Sequence, residues 1–151
     1  MTLPTQIDLQ IVTPDKLVVR ERVDEVEVPG ANGYFGVLPG HAPLLAALTV
    51  GELWYRKGSE RLYAAVAYGF AEVLPETVTI LAQLAERAED IDVERAEAAK
   101  KSAEDRLGLP STPPDEIERA RIELTKALTR LQVASRIGSN PRSGDLKRAR
   151  T

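Results

Sequence analysis

Apolar and polar residues alternate over the first half of the chain, and the period changes near residue 88. In "IDLQIV", Ile7, Leu9 and Ile11 share one face, the two-residue repeat of a strand buried on one side. Val26 and Val28 repeat the pattern. Val23 falls out of phase with them, which predicts a β-bulge near Asp24–Glu25. "LWYRKGSERLYAAVAY" reads as two strands about a turn at Lys57–Gly58–Ser59, and "FAEVLPETVTILAQLAE" as two more about Pro75–Glu76. In the last of these, Val78, Ile80, Ala82 and Leu84 occupy one face without a break. Short strands this closely spaced predict an all-β N-terminal sandwich, a flattened antiparallel barrel.

Beyond residue 88 the spacing is helical. Asp92 is placed to cap a first helix, and Gly108 to stand at C′ after Leu107. Val93, Ala96, Ala99, Ala103 and Leu107 make a thin apolar stripe, and Glu97 and Lys101 an i,i+4 pair. "LPSTPP" interrupts the helix, because proline removes backbone donors and fixes φ. A second helix is predicted from Asp115, with Glu118 completing a capping box. Ile117, Ala120, Leu124, Ala127, Leu131 and Ala134 then form a coiled-coil-like seam, ended by Gly138. Two such helices predict an antiparallel hairpin. An alanine buries about one methyl group, ~0.8 kcal/mol, against ~1.5–3 kcal/mol for a leucine. The hairpin is therefore expected to be only marginally stable alone. The expected domains are a sandwich over residues 1–87, a two-helix hairpin over 88–137 and a disordered basic tail over 138–151.

Charge adds an asymmetry to this plan. The formal net charge is −3, but residues 124–151 carry +6 and the remainder −9. A basic end on an acidic body points toward an acidic partner surface. All seven aromatic residues lie at or before Phe70, so the tail lacks the stacking platforms of a single-strand nucleic-acid site. No apolar run reaches the length of a membrane span, and no signal peptide is visible. With no cysteine, disulfides and thiol catalysis are excluded. The single histidine, His41, sits in the loop "PGHAPL" with no nucleophile elbow elsewhere. "GANGYFG" spaces its glycines unlike a phosphate loop or a dinucleotide fingerprint. No catalytic constellation emerges and no metal site is expected. A hydrolase built on His41 is the weakest reading. A β-sandwich adaptor, binding an acidic protein or nucleic acid through its basic tail, fits the same charge pattern.

Several strings carry a family resemblance. "LQIVTPDKLVV", "GYFGVLPGHAPLLAAL", "YGFAEVLPETVTILA" and "DIDVERA" resemble the epsilon subunit of bacterial and chloroplast rotary ATP synthases, over residues 6 to 137. The resemblance implies a non-catalytic rotor subunit of the central stalk. Its sandwich would bind the gamma subunit and rest on the c-ring, coupling proton flow to rotation. Its hairpin would switch between a compact state and an extended one that blocks ATP hydrolysis at the catalytic alpha and beta subunits. No nucleic acid is implied, and the protein would lie peripherally on the cytoplasmic face of the bacterial plasma membrane. Asn32, Tyr34 and His41 map to the c-ring and gamma interface, although the usual acidic side chain at the loop tip is Tyr34 here. Lys126, Arg130 and Arg136 map to the inhibitory helix. "IDVERA" is similar to a motif by which some bacterial epsilon subunits bind ATP. That similarity makes Glu86, Asp92, Arg95, Lys126 and Arg130 candidate contacts for ATP as a regulatory ligand, with no cofactor required. Position 126 is lysine rather than arginine, and position 102 is serine. The plain alternative is that Asp92 only caps its helix and Arg95 meets a neighbouring acid.

Overall fold

The computed structural model describes residues 3–138. Eight strands precede two helices: β1 (Ile7–Val12), β2 (Leu17–Val23), β3 (Glu25–Gly30), β4 (Gly33–Val37), β5 (Leu44–Ala47), β6 (Gly51–Lys57), β7 (Glu60–Val73), β8 (Thr77–Arg87), α1 (Val93–Leu107) and α2 (Pro114–Ser135). The strands pair in the order β2-β1-β8-β7-β6-β3-β4, with β5 on the end of β7. All pairs are antiparallel except β1 with β8. Ile7, Leu9 and Ile11 of β1 share one core with Val26 and Val28 of β3, Leu53 of β6 and Ile80 of β8. Strands far apart in the pairing order thus bury their side chains together, and the sheet closes on itself as a sandwich.

Residue Asp24 marks a change of partner rather than the expected bulge. β2 ends at Val23, paired with Ile7 of β1, and β3 starts at Glu25, paired with Arg56 of β6. Val23 and Val26 are both fully buried, so the phase break is where the chain crosses between layers. Asp24 fixes the crossing: its carboxylate accepts the Gly58 N–H at 2.6 Å and lies 3.7 Å from Arg56.

The two strands expected on either side of Gly69 are one long strand, β7. It carries β6 along Glu60–Val66 and β5 along Phe70–Val73, on the same edge. Between these halves φ is positive at Tyr68 (55°) and Gly69 (109°). A Cβ at Gly69 would lie 1.9 Å from the Leu81 carbonyl oxygen, so only glycine fits. The kink also disturbs the alternation of β8. Val78, Ile80 and Ala82 are buried, but Leu84 is 53% exposed and Ala85 takes the buried position. The unbroken face ends at Ala82, which pairs with Gly69.

The helices form an antiparallel hairpin. Asp92 caps α1, its side chain accepting the Arg95 N–H at 3.1 Å. Gly108 is the C-cap itself, at φ −82°, not a left-handed C′ residue; Thr112 Oγ1 satisfies the Arg106 carbonyl at 2.8 Å. α2 starts before Asp115. Pro113 is its N-cap, without a side-chain bond, and Pro114 holds the first turn, where a missing N–H costs nothing. The expected capping box is therefore absent, and Asp115 serves as a first-turn acid. The i,i+4 pair that forms is Asp115–Arg119 at 3.9 Å, not Glu97–Lys101. In the stripe of α1, Ala96 and Ala103 are fully buried while Val93 is 48% exposed. Ala120 and Ala127 of α2 are buried as well, where α1 and α2 pack together.

The hairpin meets the sandwich chiefly through α2. Val133 of α2 is fully buried with Ala65 of β7 and with Ala88 and Ile91 of the linking segment. Aside from Gly138, which ends a short 3-10 turn at Arg136–Gly138, the expected disordered tail lies outside the described residues.

Two outcomes follow. Val133→Asp places a carboxylate in this small apolar cluster and forfeits at least ~1.5 kcal/mol of burial. Hydrogen exchange in α2 should accelerate at least about tenfold, with the amides of β1 and β8 unchanged. The second concerns acid. The Gly58 N–H, aided by Gln6 and Arg56, holds the Asp24 carboxyl below its ordinary range. Its contribution is complete above the unfolded carboxylate value and is lost as pH falls through the lower folded value. The melting-temperature gap between wild type and Asp24→Asn should therefore be constant near neutrality and narrow below about pH 4.

Candidate functional site

A groove of about 440 Å³ separates the hairpin from β7 and β8, within the size range of small-molecule sites. Its lining includes apolar Ala67 and Leu84 and charged Glu86, Arg95, Lys126 and Arg130. Four of the five residues predicted to contact ATP are thus brought together from β8, α1 and α2. The fifth, Asp92, does not line the groove. Its carboxylate is used at the N-terminus of α1, on the backbone of Arg95, which leaves the Arg95 side chain free to turn to the groove.

The polar contacts across this groove are specific. Arg130 Nη2 donates to Glu86 Oε2 at 3.1 Å. Its Nε lies 2.8 Å from Glu86 Oε1, out of line for a hydrogen bond, so that contact is ionic. Lys126 Nζ stands 5.6 Å above the Tyr68 ring, the distance of a cation–π contact. Glu123 also lines the groove, and it is engaged by Arg106 of α1. Arg95, Lys126 and Arg130 thus outnumber the two acids.

Beyond the groove, Arg136 clasps Glu52 of β6. Nε donates to Oε2 at 3.1 Å and Nη2 to Oε1 at 3.2 Å, the two-pronged geometry that arginine favours. This bonding raises the Arg136 guanidinium above the ordinary arginine range. The Arg136 guanidinium also lies 5.5 Å from the Tyr63 ring. All three cations predicted for the inhibitory helix are therefore matched by sandwich residues: Lys126 by Tyr68, Arg130 by Glu86, Arg136 by Glu52 and Tyr63. Glu52, Tyr63 and Tyr68 were not among the predicted residues. Strand alternation places Glu52 on the outer face, between core residues Gly51 and Leu53, but no local signal names its partner.

The other predicted cluster lies away from the groove. Asn32 and Tyr34 are exposed at the β3–β4 turn. His41 lies in the loop before β5, with its Nδ1 2.6 Å from the Ala42 carbonyl oxygen. That contact ties up one ring nitrogen in a local turn. Leu38 and Leu44, 57% and 40% exposed, flank this end. A further apolar row crosses the sheet: Ala47 pairs with Phe70, Phe70 with Leu81, and Leu81 with Val12. Phe70 and Leu81 are each more than half exposed, a contiguity that marks interaction surfaces.

Among the described residues no helix is long and apolar enough to cross a membrane, and no acid or histidine cluster is placed to hold a metal ion. Residues 6–88 match the beta-sandwich domain of the ATP synthase delta/epsilon chain, and residues 89–135 match its long alpha-helix domain. The ATP synthase epsilon chain of Nitratidesulfovibrio vulgaris (strain DP4) is 50% identical over 127 residues, covering 84% of this chain and 94% of that one. The epsilon chain of Koribacter versatilis (strain Ellin345) is 58% identical over 100 residues, 66% of this chain and 70% of that one. Among solved structures, a chain of the Euglena gracilis mitochondrial ATP synthase OSCP/F1/c-ring is similar with a TM-score of 0.74 and 25% identity, covering 85% of this chain and 81% of that one. The part is a non-catalytic one in the central stalk, and the chain belongs to the ATP synthase delta/epsilon chain family.

Proposed function

We propose that this chain is the rotor subunit that couples proton flow to rotation, and that its hairpin brakes ATP hydrolysis by leaving the sandwich. One observation carries the reading. Lys126 and Arg130 of α2 and Arg136 at its C-cap are each held by a sandwich partner, through contacts made outside the sandwich core. Undocked, Lys126, Arg130 and Arg136 become available to an acidic surface, which the catalytic alpha and beta subunits would supply. The apolar area holding α2 is small, centred on Val133. Two states of α2 can therefore lie within the few kcal/mol that a ligand or partner shifts.

The sandwich supplies the fixed attachments in this reading. The exposed row through Phe70 and Leu81 suits the gamma subunit, whose binding would remove it from water. The end bearing Asn32, Tyr34 and His41 suits the c-ring, and the subunit then sits peripherally on the cytoplasmic face of the bacterial membrane. ATP is a regulatory ligand in the groove, where Arg95 and Lys126 would meet its phosphates. Bound there, it bridges α1, α2 and β8 and favours the docked hairpin by RT ln(1 + [L]/Kd). Lysine offers phosphate a point charge and no fork, so affinity is expected to be modest.

Hydrolysis by the assembled enzyme should rise severalfold when residues 88–151 are deleted; an unchanged rate would leave coupling as the only role. Calorimetry of the isolated subunit with millimolar ATP should give a binding heat that Arg130→Ala abolishes. No heat with the unaltered chain would remove the nucleotide from this account.

A further inference from the structure

The carboxylate that clasps the hairpin belongs to a residue whose backbone is held from the opposite side. β3 and β6 pair from Glu25↔Arg56 to Glu27↔Trp54. Continuing that register sets Glu52 opposite Pro29, where the ladder fails. Pro29 has no N–H to give, and its carbonyl is taken by the Thr49 N–H at 3.1 Å. The Glu52 N–H would be left without an acceptor, and the Tyr34 hydroxyl accepts it at 3.2 Å. Room for the phenol comes from Gly51: a Cβ there would lie 2.7 Å from both Pro29 Cβ and the Tyr34 hydroxyl.

Tyr34 is 56% exposed, so its ring is open to a partner while its hydroxyl serves the strand. The Glu52 side chain is only 12% exposed and holds Arg136 through two bonds, at 3.1 and 3.2 Å. Two parallel N–H···O contacts tolerate little rotation of the carboxylate. Its orientation is set by the start of β6, and that start is secured on its open side by Tyr34.

We infer that Tyr34, Glu52 and Arg136 form a relay, in which a partner engaging Tyr34 at the β3–β4 turn alters how firmly the hairpin is docked. The inference deepens the proposed function and rests on it for the identity of that partner, the c-ring. The intramolecular linkage stands apart from it. A partner that draws the phenol outward deprives the Glu52 N–H of its acceptor, shifts the end of β6 and loosens the clasp. A partner that presses the phenol inward does the reverse. Glu52 is here a positioning residue between two surfaces, and Tyr34 acts on the hairpin only through it.

The test is a double-mutant cycle on the full chain, read by hydrogen exchange of the amides of residues 129–135. Tyr34→Phe removes the hydroxyl and keeps the ring. Arg136→Gln removes the clasp. Each single change should accelerate exchange there about three- to tenfold. The double variant should exchange no faster than Arg136→Gln alone, because the hydroxyl then has nothing to relay. The amides of β1 and β8 serve as the control and should not change. Unaltered exchange in Tyr34→Phe overturns the relay. So do effects that multiply independently, or an acceleration spread equally over the core. Non-additivity together with unchanged hydrolysis on deleting residues 88–151 would keep the relay and sink the brake. Additivity with increased hydrolysis would do the opposite.

Discussion

The kink at Tyr68–Gly69 is the constraint from which most of the architecture follows. Two successive positive φ values let one strand serve two layers, pairing with β6 before the kink and β5 after it. The Leu48 N–H bonds the Gly69 carbonyl at 2.9 Å, and the Tyr68 N–H reaches the Thr49 carbonyl at 3.4 Å, so the connection between β5 and β6 stitches the corner. Positive φ is strained for tyrosine and free for glycine. The strain is carried by a core that closes over the corner from both sides, with Val66 and Ala71 buried on either flank.

The same corner creates the docking surface. Before it, Ala65 and Ala67 of β7 show small side chains where α2 and its groove lie. After it, Phe70 presents a large apolar ring to solvent. One strand thereby offers a shallow seat for the hairpin and a prominent patch for another partner. The two interfaces of the hairpin differ in kind. Between α1 and α2, buried alanines allow close approach, with an Arg106–Glu123 ion pair at the edge. Between α2 and the sandwich, a small apolar cluster is flanked by ion pairs and cation–π contacts. Partly exposed ionic contacts add little net stability, about 0–1 kcal/mol each, and are screened by salt. They bring directionality to a seat whose apolar area is small, as the proposed release and return of the hairpin require.

The sequence reading succeeded where a local signal was enough. The alternation in β1, the cap at Asp92, the turn at Gly58 and the alanine seam of the hairpin all came from neighbours a few residues apart. It failed where a local signal had two physical explanations. The phase break at Asp24 fits either a bulge or a change of layer, and only the pairing of β3 with β6 decides between them. An acid following a proline can cap a helix or sit in its first turn, and Pro113–Pro114 started α2 earlier than Asp115 would have. Leu84 looked buried because alternation was extended through a kink made by the neighbouring strand.

For the candidate site the division is sharper. The family resemblance of "IDVERA" named Glu86, Arg95, Lys126 and Arg130, and the fold gathers them around one groove. Nothing in the chain's order names Glu52 as the partner of Arg136, 84 residues away, or Tyr34 as the acceptor for the Glu52 backbone. Hydrophobic period, caps and turns are set by interactions along a few residues, so the sequence by itself determined the two-part plan, the helical hairpin and its basic face. Closure of a sheet and contact between a strand and a distant helix depend on the positions of all the intervening elements. Only the tertiary structure could decide which acid meets which cation, and which single strand residue is gripped from both sides.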